Sequence, residues 1–454
     1  MERSRLEVAM SLLSAALSEV ADWTQCESLE TFRSHIDPEW IERALEATGT
    51  ATLRRRRLPA EQVLWLVLGM ALCRNRPIHE VVSKLDLVLP EARGSTPVAR
   101  SSVAQARQRV GAEPLRWLFE HSAERWALRN AQTNAWRGLS LFAMDGSTLR
   151  VADSDENRSH YGLADGGHRG KSGYPLVRIN TLLAIRSHLI LGAEFGPYAR
   201  SEHDLSRYLW DRVPDRSLTI VDKNYLAARL LLGLQRDGTD RHWLVRSKKS
   251  TKWNVLKSFG RFDKLVELTV SSKARRKDAW LPKTFVARAI SYRRKDSRER
   301  QWLLTSLTDA QAYPAAEMVD LYHERWEIEL AYDELKTHML EAEETIRSRT
   351  VEGVAQEIWG ILLAYNLIRL EMAAIAAEAG VVPIQISFVQ ALRFIRDEWE
   401  WCAVASPGTI PKKLQDLRRR VLSFVLPSRR SERRFPRAVK IKMSNYAKKR
   451  RSTA

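Results

Sequence analysis

Apolar residues recur at helical spacing through about the first 133 residues, beginning with Leu6, Met10, Leu13 and Leu17. Asp37-Pro38-Glu39 reads as an N-cap followed by proline at the first helical position. Pro59 opens the apolar helix Val63–Leu72, and Pro77 opens another through Val81 and Leu85. After a polar break from Pro90 to Pro97, Ser101–Gly111 is a helix with small residues at its start, Arg and Gln along it, and glycine at its end. Such a helix can enter a major groove or lie on the surface of a bundle, and the pattern alone does not choose.

The period changes at Leu139. Leu139–Asp145 reads as a strand, Val177–Ile185 and His188–Phe195 as a hairpin turning near Arg186-Ser187, and Leu218–Asp222 as another strand. Helices are expected over Ser201–Val213 and Leu226–Leu234, and strands over His242–Arg246, Lys264–Val270, Phe285–Tyr292 and Trp302–Ser306. Long amphipathic helices return over Ala315–Leu340 and Val351–Ala379. The centre is therefore mixed α/β with a β insertion, between helical ends, and no internal repeat is evident.

At 454 residues the chain is too long for one ordinary domain, and 44% apolar with 28% charged residues excludes wholesale disorder. The longest apolar run, Val63–Cys73, is too short to cross a bilayer, and the start Met1–Arg5 leads into an amphipathic pattern and not a signal peptide. Cys26, Cys73 and Cys402 lie too far apart in sequence to suggest a disulfide framework or zinc knuckle. These features point to a cytoplasmic protein that engages no membrane. The net charge of +19 is concentrated in two places. Arg429–Ala454 carries eleven Lys or Arg against one Glu, and Arg246–Arg300 carries eighteen against five acids, which leaves the remainder at −4. Two basic appendages on a nearly neutral body suit a polyanion, although the tail can also be a solubilising extension. In the middle segment the charges interleave with Trp253, Phe259, Phe262, Trp280, Phe285 and Tyr292. That pattern fits phosphate neutralisation with base stacking, and equally a two-faced sheet with one wet side.

Three acids stand where α/β sheets present functional groups. Asp145 ends one apolar strand, Asp222 another, and Glu329 lies on a helix downstream. Converging carboxylates repel unless a hard divalent cation joins them, and Mg²⁺ prefers such ligands and keeps positions open for a phosphate. Asp145-Gly146 is also a turn signal, and Asp222 can instead cap the following helix. At about 100° per residue, Tyr322, Arg325, Glu329 and Lys336 share a stripe, with Leu321, Ile328, Ala331, Leu335 and Met339 opposite. A carboxylate flanked by two cations and a phenol suits a metal beside a phosphodiester; an i, i+4 Arg325–Glu329 pair is the structural alternative. Asp333 falls near the stripe as well.

The segment Tyr322–Lys336 resembles the Tyr-x2-Arg-x3-Glu-x6-Lys signature of DDE transposases of the insertion-sequence-four family. Met144-Asp145-Gly146 and Val221–Tyr225 are similar to that family's first and second acid motifs, with Lys223-Asn224 where Lys-Gly or Arg-Gly is common. Gly49–Pro59 and Ala104–Arg109 look like its N-terminal domain, so the resemblance covers nearly the whole chain. It implies an α/β fold: an RNase H-like catalytic core over 134–345 with a β-rich insertion at about 249–301. A helical N-terminal DNA-binding domain over 1–133 precedes it, and a helical C-terminal region with a basic tail over 346–454 follows. It further implies cut-and-paste transposition through a hairpin, on double-stranded transposon ends and target DNA, by a homodimer in the bacterial nucleoid. The resemblance makes Asp145, Asp222 and Glu329 ligands of two Mg²⁺ or Mn²⁺ ions, and Tyr322, Arg325 and Lys336 contacts to the DNA. Trp302 resembles a family tryptophan that stacks on a flipped base, and a strand tryptophan packed in the core would look the same.

Overall fold

The computed structural model describes residues 35–50, 58–84, 100–165, 171–293, 299–341, 345–402 and 425–426. The expected helix around Leu6–Leu17, the break at Pro90–Pro97 and the basic tail from Arg429 lie outside them. The described residues up to Ser122 and from Glu334 onward form one compact unit, and Ala123–Asp333 form the other.

The first unit is helical. It opens with α1 (Pro38–Ala47), α2 (Ala60–Leu72), α3 (Ile78–Lys84), α4 (Arg100–Val110) and α5 (Glu113–Thr133), the last of which is shared with the second unit. Asp37 caps α1 by accepting from the Glu39 backbone at 3.0 Å, as its position before Pro38 predicts. The α2 residues from Val63 to Leu72 are all buried. On α4, Val103, Ala106 and Val110 face the core while Gln105, Gln108 and Arg109 are exposed.

The second unit is built on one large sheet. Its elements in chain order are β1 (Ser140–Val151), α6 (Asp155–Tyr161), β2 (Leu163–Asp165), β3 (Lys171–Ala184), β4 (Ile190–Pro197), α7 (Glu202–Trp210), β5 (Ser217–Val221), α8 (Ala228–Arg236) and β6 (Arg241–Arg246). The insertion follows as β7 (Asn254–Gly260), β8 (Asp263–Thr269), α9 (Ser272–Lys277), β9 (Thr284–Arg293) and β10 (Arg300–Thr305). Then come α10 (Ala315–Glu324) and α11 (Trp326–Asp333). The strand order is β2-β3-β1-β5-β6-β10-β9-β8-β7, with β4 also paired to β3. An antiparallel trio β4-β3-β1 joined to β5 and β6, both parallel to β1, is the RNase H-like arrangement expected. β5 lies inside the sheet and is buried at every residue, as a parallel strand covered on both faces must be.

The insertion extends this sheet from β6 outward. β7, which the sequence pattern did not signal, is exposed along its whole length. Not all of its basic charge is available to a partner: Arg288 is fully buried and forks onto Asp263 at 2.8 and 2.6 Å. Arg300 stacks 3.5 Å from the Phe262 ring, Arg261 lies over the same ring, and Lys257 lies over Phe259.

The helical unit closes with α12 (Val351–Ala379) and α13 (Phe388–Cys402). By length and composition α12 could cross a membrane, but 83% of its most apolar window is buried. It is a core helix, and Gly360 lets it press on α2, where an added Cβ would meet Val67 Cγ1 at 2.5 Å. It also buries Glu357, which accepts from Arg74 at 3.0 Å and from the Arg347 backbone at 3.2 Å, with Arg107 3.9 Å away. Burial alone would raise the Glu357 carboxyl, but Arg107 and Arg74 outweigh it and hold it below the ordinary range. Arg107 itself donates to Gln356 at 2.7 Å, which commits it to the core and not to a DNA groove. Glu357→Ala strands these guanidinium groups and should cost about 3–5 kcal/mol, read as a fall in the urea midpoint at pH 7. A change below about 1 kcal/mol would show that the cluster is solvated.

Candidate active site

Asp145 does not end its strand. β1 continues to Val151, and Gly146 to Arg150 stay paired with Asn180 to Leu176, so Asp145-Gly146 is not a turn. The glycine serves a close approach instead: an added Cβ would lie 2.5 Å from Asn180 Oδ1 and 2.9 Å from Glu202 Cγ. Asp222 does follow directly on β5. Met144 pairs in parallel with Val221, so the two aspartates occupy the next positions on neighbouring strands. Asp222 also accepts from the Asn224 backbone at 2.7 Å, capping the short 3-10 turn Lys223–Tyr225. Cap and strand-end acid are the same residue.

Glu329 comes from α11, and Arg325 sits at the joint between α10 and α11. Its guanidinium donates to Glu329 Oε1 at 2.7 Å and reaches Asp145 Oδ2 at 3.5 Å. The i, i+4 pair exists, and the same arginine extends it to the sheet. Three residues beyond Glu329, the Tyr332 hydroxyl donates to the Asp145 carbonyl at 2.9 Å and accepts from Thr181 at 3.0 Å. The β3–β4 turn holds the helix pair from its other end. Arg186 forks onto Glu324 at 2.9 Å through both contacts, and His188 meets Glu327 at 3.0 Å with both side chains buried. His188 takes a φ of +59° to do so.

Burial pushes the Asp145 carboxyl up to about 6. The Gly146 N–H and Arg325 pull it down, while the charges of Asp222 and Glu202 push it further up. Burial likewise raises the Tyr332 and Tyr225 hydroxyls, which stay protonated at neutral pH. Tyr322 is buried beside Tyr292 and lifted to about 12.

The remaining residues singled out in the sequence are placed less uniformly. Leu321, Ile328, Ala331, Leu335 and Met339 are buried as the helical wheel predicts. The wheel does not hold past Glu329, because Ala315–Leu340 is not one regular helix. Arg325 interrupts it, and Glu334–Met339 opens into a π-helical turn in which the Leu340 N–H reaches the Leu335 carbonyl. Lys336 lies on that turn, across the division between the units. Asp333 is exposed. Trp302 on β10 is half-buried, 5.5 Å from the Trp253 ring, with Lys264 6.0 Å away. Sequence reasoning passed over Glu202, Asn180, Thr181 and Tyr332. Only Tyr332 lay in a stretch already singled out.

Adjacent aspartates on neighbouring parallel strands, with a glutamate on the helix after the insertion, are the arrangement that the resemblance to DDE transposases leads one to expect. Residues 136–367 match the family model of the transposase DDE domain, and residues 26–120 that of the insertion element 4 transposase N-terminal region. The chain is 40% identical over 422 residues to the transposase InsG for insertion sequence element IS4 of Escherichia coli K12, covering 92% of this chain and 93% of that one. It is 39% identical over 223 residues to the putative transposase InsZ of the same organism, covering 49% and 73%. A piggyBac transposase synaptic complex with hairpin DNA aligns over 89% of this chain and 86% of that one, at 11% identity and a TM-score of 0.42. The chain belongs to the insertion-sequence-four family of DDE transposases, enzymes that process DNA.

DDE domains generally use divalent metal ions. The donors fit: Asp145, Asp222 and Glu329 offer only hard oxygens, and the half-buried Asp145 has a charge that Arg325 only partly offsets. Among the described residues no group of three or more acidic, His or Cys side chains already forms a metal cage.

Proposed function

We propose that this chain moves a DNA element by cut-and-paste transposition. Asp145, Asp222 and Glu329 would hold two Mg²⁺ or Mn²⁺ ions at the scissile phosphates of the element's inverted repeats. The observation that carries the reading is Arg325, which joins Glu329 to Asp145 while Asp145 adjoins Asp222. When bound, the ions activate a water or a 3′-hydroxyl and stabilise the leaving oxygen. Arg325 and Tyr322 would hold the phosphodiester, which needs positioning and neutralisation more than a covalent nucleophile, and Lys336 would contact the DNA as well. The exposed face of β7–β8 and the basic tail follow the flanking duplex. Two copies synapse two ends, and the reaction takes place in the cytoplasm, at the nucleoid. The test is a linear duplex carrying the element's ends, incubated with the protein and Mn²⁺. Nicks, hairpins and joined products are expected. Binding without cleavage in any divalent cation would mark a DNA-binding repressor, and cleavage without joining a nuclease.

Trp302 has its own test. Folding one strand back on its partner requires the terminal base to leave the stack, which costs a few kcal/mol, and an aromatic platform returns about 1–3 kcal/mol per base. Trp302→Ala should nick at a near-normal rate and accumulate nicked ends in place of hairpins, and an abasic site at the flipped position should rescue it. Normal hairpin yield would assign Trp302 to packing against Trp253.

A further inference from the structure

Glu202 begins α7, directly after its cap Ser201. An acid in a first helical turn is commonly explained by the helix dipole, and Asp204 on the same turn serves that purpose. The dipole does not explain where the Glu202 side chain lies. Its Cγ and Cδ stand 2.9 and 3.1 Å from the point where a Cβ on Gly146 would be, so the carboxyl group folds over the residue next to Asp145. Any side chain at 146 would displace it.

Neighbouring residues hold it there. Arg178 Nη1 meets Glu202 Oε1 at 3.2 Å, and Arg178 is fixed by donating to the Tyr198 carbonyl and stacking 4.8 Å over its ring. Asn180 Nδ2 donates to the Glu202 carbonyl at 3.0 Å and to the Tyr225 hydroxyl at 3.1 Å. Among the described residues the second carboxylate oxygen of Glu202 has no hydrogen bond. Asn180 is fully buried, yet among the described residues its Oδ1, beside Gly146, has no hydrogen-bond partner. A buried orphan acceptor calls for a donor. Among the described residues a carboxylate oxygen without a hydrogen bond and an unpaired amide oxygen therefore meet beside Gly146, the residue next to Asp145, and the waters of a hydrated divalent cation at Asp145 would satisfy both, because Mg²⁺ and Mn²⁺ keep bound waters.

We propose that Glu202 is a fourth carboxylate of the active site, an oxygen ligand to the divalent cation bound at Asp145. The proposal rests on the metal-dependent reading given above. Arg178 orients the carboxylate, Gly146 leaves room for it, and the Asn180 amide oxygen accepts from a water on the ion.

The test uses the full chain and Mn²⁺ alone, with free ion followed by electron paramagnetic resonance and folding by thermal midpoint. Glu202→Gln should bind Mn²⁺ about tenfold more weakly. In cleavage it should need correspondingly more Mn²⁺ to reach half-maximal rate. Glu202→Asp keeps the charge and draws the oxygens back by one methylene; it should lose affinity in the same way with its thermal midpoint unchanged. Asp145→Asn separates the two readings. If Asp145→Asn binds Mn²⁺ as the wild type does, the acid site itself is misassigned. If it loses the ion while folded Glu202→Gln and Glu202→Asp bind as the wild type does, Glu202 is only a partner of Arg178 and the proposal is overturned.

Discussion

Asp145→Asn should abolish cleavage while making the metal-free protein more stable. If Asp145 holds the proposed metal, losing its carboxylate removes several kcal/mol of transition-state stabilisation, about 10³-fold or more in rate. The stability change has the opposite sign because burial lifts the folded-state carboxyl from 3.8 to about 6. Between those pH values the folded chain holds a proton that the unfolded chain has released, so stability falls as pH rises through the window. Above it the full penalty is present, about 2–3 kcal/mol. Asparagine carries no charge and escapes it. At pH 7.5 without metal the variant should therefore melt several degrees higher, and near pH 4 the two proteins should converge. Mn²⁺ should raise the wild-type midpoint and leave the variant's where it was. A variant no more stable than wild type at pH 7.5 would mean the carboxylate is well solvated and the acids are not held against their own repulsion.

The hydrophobic period located most of the sheet, because parallel strands buried on both faces stand out as continuous apolar runs. Leu218–Val221, within the parallel strand β5, is such a case, and the antiparallel Val177–Phe195 hairpin, within a few residues of β3 and β4, was marked by its apolar runs on either side of a turn. β7 escaped because all its residues are exposed, so packing imposes no alternation on it. The Asp-Gly turn reading of Asp145-Gly146 failed for a tertiary reason. A glycine required by a neighbour's side chain looks in sequence like one required by a turn, and the neighbour, Glu202, is 56 positions away. The Tyr-Arg-Glu-Lys spacing was legible as a motif, but its geometry was not. A uniform wheel cannot anticipate the break at Arg325 or the π turn carrying Lys336. Nor could it show that Tyr332 anchors the glutamate helix to the backbone of Asp145.

Arg325 offers the sharpest separation between binding and chemistry. Its guanidinium lies 2.7 Å from Glu329 and 3.5 Å from Asp145, where it does without metal what a cation would do with it. Arg325→Ala leaves Asp145, Asp222, Glu202 and Glu329 with less positive charge among them, so Mn²⁺ should bind more tightly, by about tenfold or more. Cleavage should nonetheless fall by about 10²–10³, because the fork proposed to neutralise the phosphate would be gone. Arg325→Lys should not restore the rate, since an ammonium cannot span two oxygens as a guanidinium does. Tighter metal with slower chemistry is a combination that a misfolded variant cannot produce. Mn²⁺ calorimetry and single-turnover cleavage on one preparation would read both. Weaker Mn²⁺ binding by folded Arg325→Ala would instead make the arginine a brace that keeps Glu329 in reach of Asp145, with no competition between it and the ion.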